Sequence, residues 1–243
     1  MKKIICSGYE ELSRVCAALA YEQIITKPNT VLGLATGSTP IGMYTDLVEL
    51  HRRCGLDFSQ VVTFNLDEYV GIKKSNNQSY DYFMWYNLFS HINIKRENVH
   101  IPNGESEDPH GECLAYERSI AAAGGIDMQI LGIGNNGHIG FNEPEDNLAL
   151  STHVTKLTTS TIEANSRFFA SISDVPTSAM TMGMGTIMAS KKIVLIISGE
   201  KKSEIARMML NGKVSTQVPA SFIQLHPDAT LVIDEAAASL ALR

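Results

Sequence analysis

The chain of 243 residues has only four cysteines, Cys6, Cys16, Cys54 and Cys113, and no two of them show CxxC spacing. That removes zinc ribbons and dithiol redox centres; buried, reduced thiols are the plain reading, and they favour a reducing, cytoplasmic setting. HExxH is absent, and no third ligand is spaced to join a histidine and a carboxylate, so no metal is expected. No apolar run approaches the roughly 18 residues of a membrane span, and the opening MKKIICSGYEELS is too short in apolar residues for a signal-peptide core. Neither membrane nor export is indicated. Positive charge is also in deficit: 20 Lys and Arg against 26 Asp and Glu give a net −6, which offers no footprint for nucleic acid. An anionic ligand must then be held locally, by helix ends and a few placed cations.

What the chain does have is 44% hydrophobic content, enough for one substantial core, distributed as an alternation of strands and helices from end to end. Apolar runs predict strands over 3–6, 30–35, 61–66, 127–133, 192–197 and 230–233. Helical spacing predicts helices over 40–54, closed by Gly55, and over 80–89, 112–123, 160–168, 181–189, 203–210 and 234–240. A further helix follows Ser7, which forms a capping box with Glu10. This is an α/β pattern: a mainly parallel sheet with helices on both faces, for which ligands collect outside the carboxyl ends of the strands. With no repeat, low-complexity tract or linker, residues 1–243 read as one domain, and the polar, turn-rich stretch 140–180 reads as a lid or insertion.

Three loops carry the chemistry. Gly33 to Pro40, GLATGSTP, joins a buried strand to a helix. Gly37 permits a tight turn, Thr36, Ser38 and Thr39 bring hydroxyls, and the free amides of the helix start can converge on a phosphate. This loop has neither a following Lys-Ser/Thr nor GxGxxG, so ATP and NAD are poor fits for it. An ordinary capped turn would look similar. The second segment, NLDEY at 65–69, ends a strand in two carboxylates. Asp67 there can serve as a base toward the carbon beside a carbonyl or imine, with Glu68 as its neighbour or orienter; a turn-capping role is the alternative.

The third is GIGNNGHIGFNEP at 132–144, whose glycines, Gly134 among them, let a ligand approach the backbone. His138 suits proton transfer to a sugar ring oxygen, and Glu143 stands close enough in sequence to orient its ring. Arg167 and Lys202, near breaks at a helix end and a strand exit, are cations that could close on phosphate, whereas Lys201 reads as a solvated helix-end charge.

Taken with NSRFF at 165–169 and Ser198-Gly199-Glu200-Lys201-Lys202, these motifs resemble the glucosamine-6-phosphate deaminase family along essentially the whole chain. Phe141-Asn142-Glu143-Pro144 separates that family from the related phosphogluconolactonases. The resemblance implies a Rossmann-like three-layer sandwich that converts glucosamine 6-phosphate to fructose 6-phosphate and ammonia without a cofactor. It implies Asp67 as the base between C2 and C1, His138 as the ring-opening acid/base with Glu143 as its partner, and phosphate contacts from Gly37, Ser38, Thr39, Arg167 and Lys202. Thr36, Glu68 and Gly134 are the further candidate contacts. Asn136 stands where better-studied members carry an aspartate, so His138 must rely more on Glu143. Positions matching the activator site of hexameric members are Asp146, His153 and Thr155, poor phosphate donors. The resemblance therefore implies no allosteric activation and a monomer or small homo-oligomer.

Overall fold

A computed structural model of the chain describes residues 1–158, 162, 169, 171 and 174–241. Six strands of its seven-stranded sheet form from the short apolar runs that periodicity marks: β1 Lys2–Cys6, β2 Val31–Leu34, β3 Val62–Asn65, β6 Met128–Leu131, β9 Lys192–Ile197 and β10 Ala229–Asp234; the seventh, β5 Val99–His100, falls where no strand is expected. Their order is β1-β10-β9-β6-β2-β3-β5, with every pairing parallel. Every residue of β2 and β6 is buried, as expected of strands covered on both faces.

One face packs against Cys16, Tyr44, Leu47 and Met84, from helices α1 Tyr9–Thr26, α2 Ile41–Cys54 and α3 Tyr80–Asn87. The other packs against Tyr116 and Ile120 of α4 Pro109–Ala122, with Ile187, Ile205 and Met209 from later helices. This is the three-layer α/β sandwich expected.

From β2 the chain moves outward through β3 to β5, then returns to β6 and moves outward the other way through β9 to β10. The reversal between β2 and β6 opens a crevice at their carboxyl ends, where ligands bind in sheets of this kind. Strands β3, β2, β6 and β9 are consecutive neighbours, so at about 4.8 Å per strand their exits span only about 14 Å. The loops after all four therefore surround one place.

A second sheet stands at that edge. β4 Asp67–Tyr69 begins one residue after β3 and pairs antiparallel with β8 Ser178–Thr181, which pairs in turn with β7 His153–Lys156. Residues 178–181 belong to this strand, and the helix expected over 181–189 is confined to Met184–Met188. Pairing with β4 determines this, because a four-residue strand is too short to show a period of two.

At the opposite edge Asp127 accepts from Lys27 Nζ at 2.6 Å, Lys191 Nζ at 2.7 Å and the Val31 amide at 2.8 Å. Burial alone would raise its pKa, but the bonds from the lysines and the amide outweigh it and hold the group at about 2.

Other expectations need correction. Ser7 pairs through both its amide and its hydroxyl with Glu11 at 2.7 Å, not with Glu10, because the helix starts after Gly8. The helix at Tyr80 ends at Asn87 and passes into a 3-10 turn over Phe89–His91. Cys6, Cys16 and Cys113 are buried thiols, whereas Cys54, in the last turn of α2, is exposed. Gly55, at φ 70°, closes α2 in the left-handed conformation that glycine adopts freely. The helix expected over 160–168, with Arg167, lies outside the described residues.

Candidate active site

The loop after β2 turns at Gly37, φ 93°, and enters α2 with no side-chain cap and no acidic residue in the first turn. Among the described residues the amides of Gly37, Ser38, Thr39 and Ile41 donate no hydrogen bond, and Gly37 and Ser38 are exposed. Four free N–H groups on a turn that leads into a helix form an anion site, favoured further by the positive end of the helix dipole. Two strands away, Lys202 reaches back from the exit of β9 to donate to the Ile133 carbonyl at 2.7 Å, just before Gly134. Its partial burial lowers the ammonium's pKa. Lys201 is exposed.

Asp67 and Glu68 diverge, as successive residues of a strand must. Glu68 is consumed by structure: its carboxylate accepts from the amides of Tyr69 at 2.9 Å, Tyr80 at 3.0 Å and Asp81 at 2.9 Å, tying β4 to the start of α3. Burial nevertheless pushes it up to about 7. Asp67 is 6% exposed and, among the described residues, its carboxylate accepts no hydrogen bond. Burial, with the charge of Glu68 second, pushes it up to about 8. A buried, unsolvated carboxylate with nothing to hold its charge is a strong proton acceptor.

The histidine loop closes on itself through Gly134 N–H to the His138 carbonyl at 2.9 Å and Gly137 N–H to the Gly134 carbonyl at 3.1 Å. The imidazole lies flat over Gly134, where an added Cβ would come within 2.1–2.3 Å of three ring atoms. Glu143, 6% exposed, brings Oε2 to 3.3 Å from His138 Nδ1 and accepts from Asn136 Nδ2 at 2.6 Å. The contact to Nδ1 falls outside hydrogen-bond alignment and is electrostatic in character. Asn136 Oδ1 also accepts the His138 amide at 3.2 Å, so the asparagine bridges backbone and carboxylate.

Gly132-Ile133-Gly134-Asn135-Asn136-Gly137 also spells GxGxxG, a match that the motif-poor first loop conceals. No helix follows it here, and Gly134 is required by the imidazole, so the pyrophosphate-binding part of a dinucleotide site is missing.

Gly140 joins the loop to β4: a Cβ there would lie 2.7 Å from Thr181 Oγ1 and 3.2 Å from Asp67 Oδ2. Thr181 Oγ1 accepts the Phe141 amide at 3.1 Å, and Asn142 donates to the carbonyls of Ile139 and Met182 at 2.9 and 2.8 Å. Asp67 and the histidine loop therefore border one crevice. Thr181 and Asn142, which brace it, were invisible in the sequence as site residues, Thr181 because it was read as helical. Among the described residues no group of three His, Cys, Asp or Glu is gathered as metal ligands, and no helix is long and apolar enough to cross a membrane.

The model of the glucosamine-6-phosphate isomerases/6-phosphogluconolactonase family matches residues 9–232. A glucosamine-6-phosphate deaminase of Thermoanaerobacter pseudethanolicus is 58% identical over 240 residues, covering 99% of this chain and 95% of that protein. One from Clostridioides difficile is 54% identical over 239 residues, 98% and 96% of the two chains. A solved monomeric glucosamine-6-phosphate deaminase superposes with a TM-score of 0.96 at 47% identity, covering 99% of this chain and 100% of its own. The 6-phosphogluconolactonase of Trypanosoma cruzi, with a TM-score of 0.79 at 18% identity over 100% and 97% of the chains, shares the fold. On the family match and on identity above one half along the whole chain, this protein belongs to the glucosamine-6-phosphate isomerase/6-phosphogluconolactonase family.

Proposed function

We propose that the protein converts D-glucosamine 6-phosphate and water to D-fructose 6-phosphate and ammonia in the cytoplasm, with the roles that follow. The observation that carries this reading is the Asp67 carboxylate, buried beside Gly140 of the histidine loop and, among the described residues, accepting no hydrogen bond. The phosphate docks on the free amides of 37–41, with Ser38, Thr39 and Lys202 around it and Arg167 added from the segment 140–180, which serves as a lid. Thr36 and Gly134 line the sugar. His138, its charge balanced by Glu143, transfers a proton to the ring oxygen and opens the pyranose. Asp67 takes the C2 proton, giving an enolamine, and returns it to C1. Water then adds to the C2 imine, ammonia departs and the ketone remains. Ring opening unmasks the C1 aldehyde, which acidifies C2 and takes up the electron pair as its oxygen is protonated, so positioned acid and base groups suffice. Glu68, bound by backbone amides, positions β4 and does not touch the sugar.

A coupled assay for ammonia release from glucosamine 6-phosphate, with 6-phosphogluconolactone as control, tests this directly. Turnover of the lactone and no ammonia from the amino sugar overturns it.

The protein works as a monomer, like the relative described as monomeric, and needs no activator. Asp146 is exposed and brings an anion where phosphate would sit, and His153 is bonded through Nδ1 to the Ser151 carbonyl at 3.0 Å. Initial rates titrated with N-acetylglucosamine 6-phosphate at low substrate are expected to show no activation; a leftward shift of the substrate curve disproves the statement.

A further inference from the structure

Among the described residues no side chain of the loop that offers its amides to phosphate bonds the loop's own backbone; Tyr44 of α2 holds its start through the Ala35 carbonyl at 2.6 Å, and the brace at 38–39 comes from the start of α1. Tyr9 Oη lies 3.1 Å from both the Ser38 and the Thr39 carbonyl oxygens, sharing its O–H between them, and accepts the Gly42 amide at 2.9 Å. All peptide bonds among the described residues are trans, so a peptide's C=O and N–H point opposite ways. With the Ser38 carbonyl drawn toward Tyr9, the Thr39 amide faces away from α1, and it is one of the four that donate to nothing. The hydroxyl also accepts the first-turn amide of Gly42, which is thereby spent on α1. Gly42 is part of the device: a Cβ there would lie 2.2 Å from Ser13 Oγ and 3.1 Å from Tyr9 Oη. Ser13 is itself bonded to the Tyr9 carbonyl at 2.8 Å.

We infer that Tyr9 is a positioning residue for substrate phosphate, its hydroxyl setting the orientation of the 38–39 peptide so that the Thr39 amide faces the anion together with its neighbours, while its bond to the Thr39 carbonyl holds the peptide before Pro40, which has no N–H. The inference rests on the 37–41 loop being the phosphate site of the proposed reaction. Tyr9 touches no substrate. Its contribution is preorganisation: without it the loop must be ordered by the ligand, at the expense of affinity. The effect belongs to binding and leaves the chemistry at C1 and C2 untouched.

The test uses the full-length protein and its Tyr9→Phe variant, which keeps the ring and removes only the hydroxyl. Two quantities are read: the KM and kcat for glucosamine 6-phosphate, and the dissociation constant of inorganic phosphate by calorimetry. Loss of one hydrogen bond's worth of ordering raises KM and the phosphate constant about fivefold each, with kcat within about twofold of wild type. A purely structural role would instead lower kcat and melting temperature together while leaving phosphate affinity alone, and that result overturns the inference. So does equal phosphate affinity in the two proteins. Tyr9→Phe combined with Ser38→Ala should show less than the product of the single effects, since both act on one peptide; full additivity also counts against it. If wild-type protein binds no phosphate at all, it is the assignment of the loop that falls, a distinguishable outcome.

Discussion

Asp67→Asn is expected to lower kcat by about 10³-fold while phosphosugar affinity changes by no more than a few-fold, because general-base transfer contributes about 10²–10⁴ and the amide cannot accept the C2 proton. The buried site tolerates the exchange: an isosteric amide replaces a carboxylate that accepts no hydrogen bond among the described residues. The direct measurement is exchange of the C2 hydrogen with solvent. Exchange at the wild-type rate in the variant removes Asp67 from the base role, whatever happens to ammonia release. The same group dictates a pH profile. A base acts in its ionised form, and burial pushes Asp67 up to about 8 and Glu68 up to about 7, so kcat/KM of the free enzyme should fall as pH drops below about 8. The two carboxyls are adjacent and titrate as a pair, so the limb reports both. Substitution of Asp67 should flatten it.

The second large effect comes from a residue with no functional group. Gly134→Ala should cost about 10²-fold in kcat/KM, the scale expected when a catalytic group is displaced by about 1 Å. The new methyl would sit 2.1–2.3 Å from three atoms of the His138 ring, so the imidazole must swing off its place beside Glu143. His138→Gln should show a loss of similar size, and the double variant no more than either alone. Additive losses would separate the glycine from the histidine. In both single variants an open-chain analogue should be processed closer to the wild-type rate than the closed pyranose is, since ring opening is the step the imidazole serves.

Much of this architecture could be read in advance, and the divide is physical. The strands over 192–197 and the helix over 203–210 match their sequence spans because long apolar runs and clean helical spacing are local properties. The glycine loops and Asp67 stand out in combination: each alone is matched by an ordinary turn or cap, but three such segments at the ends of neighbouring strands are not. What escaped was non-local. β4, β7 and β8 exist by pairing with one another across more than 80 residues between β4 and β7, and none is long enough to declare itself. Tyr9 carries no signal in the sequence, because its hydroxyl meets the phosphate loop only once α1 lies against α2. Glu68 reads in the sequence as the neighbour or orienter of Asp67 and a candidate sugar contact; its bonds to the amides of α3 depend on an element that begins 12 residues further on.

The two edges of the large sheet respond to acid in opposite senses. Asp67 and Glu68 hold protons more tightly folded than unfolded, so their burial erodes stability as pH climbs from about 4 toward their native values of about 8 and about 7. Asp127, held at about 2 by its lysines, contributes fully above about 4 and fails as pH falls through about 2. Together they make a mildly sour buffer the most protective one, while turnover demands an alkaline one. On these three carboxylates the molecule should keep best at a lower pH than the one at which it turns over fastest.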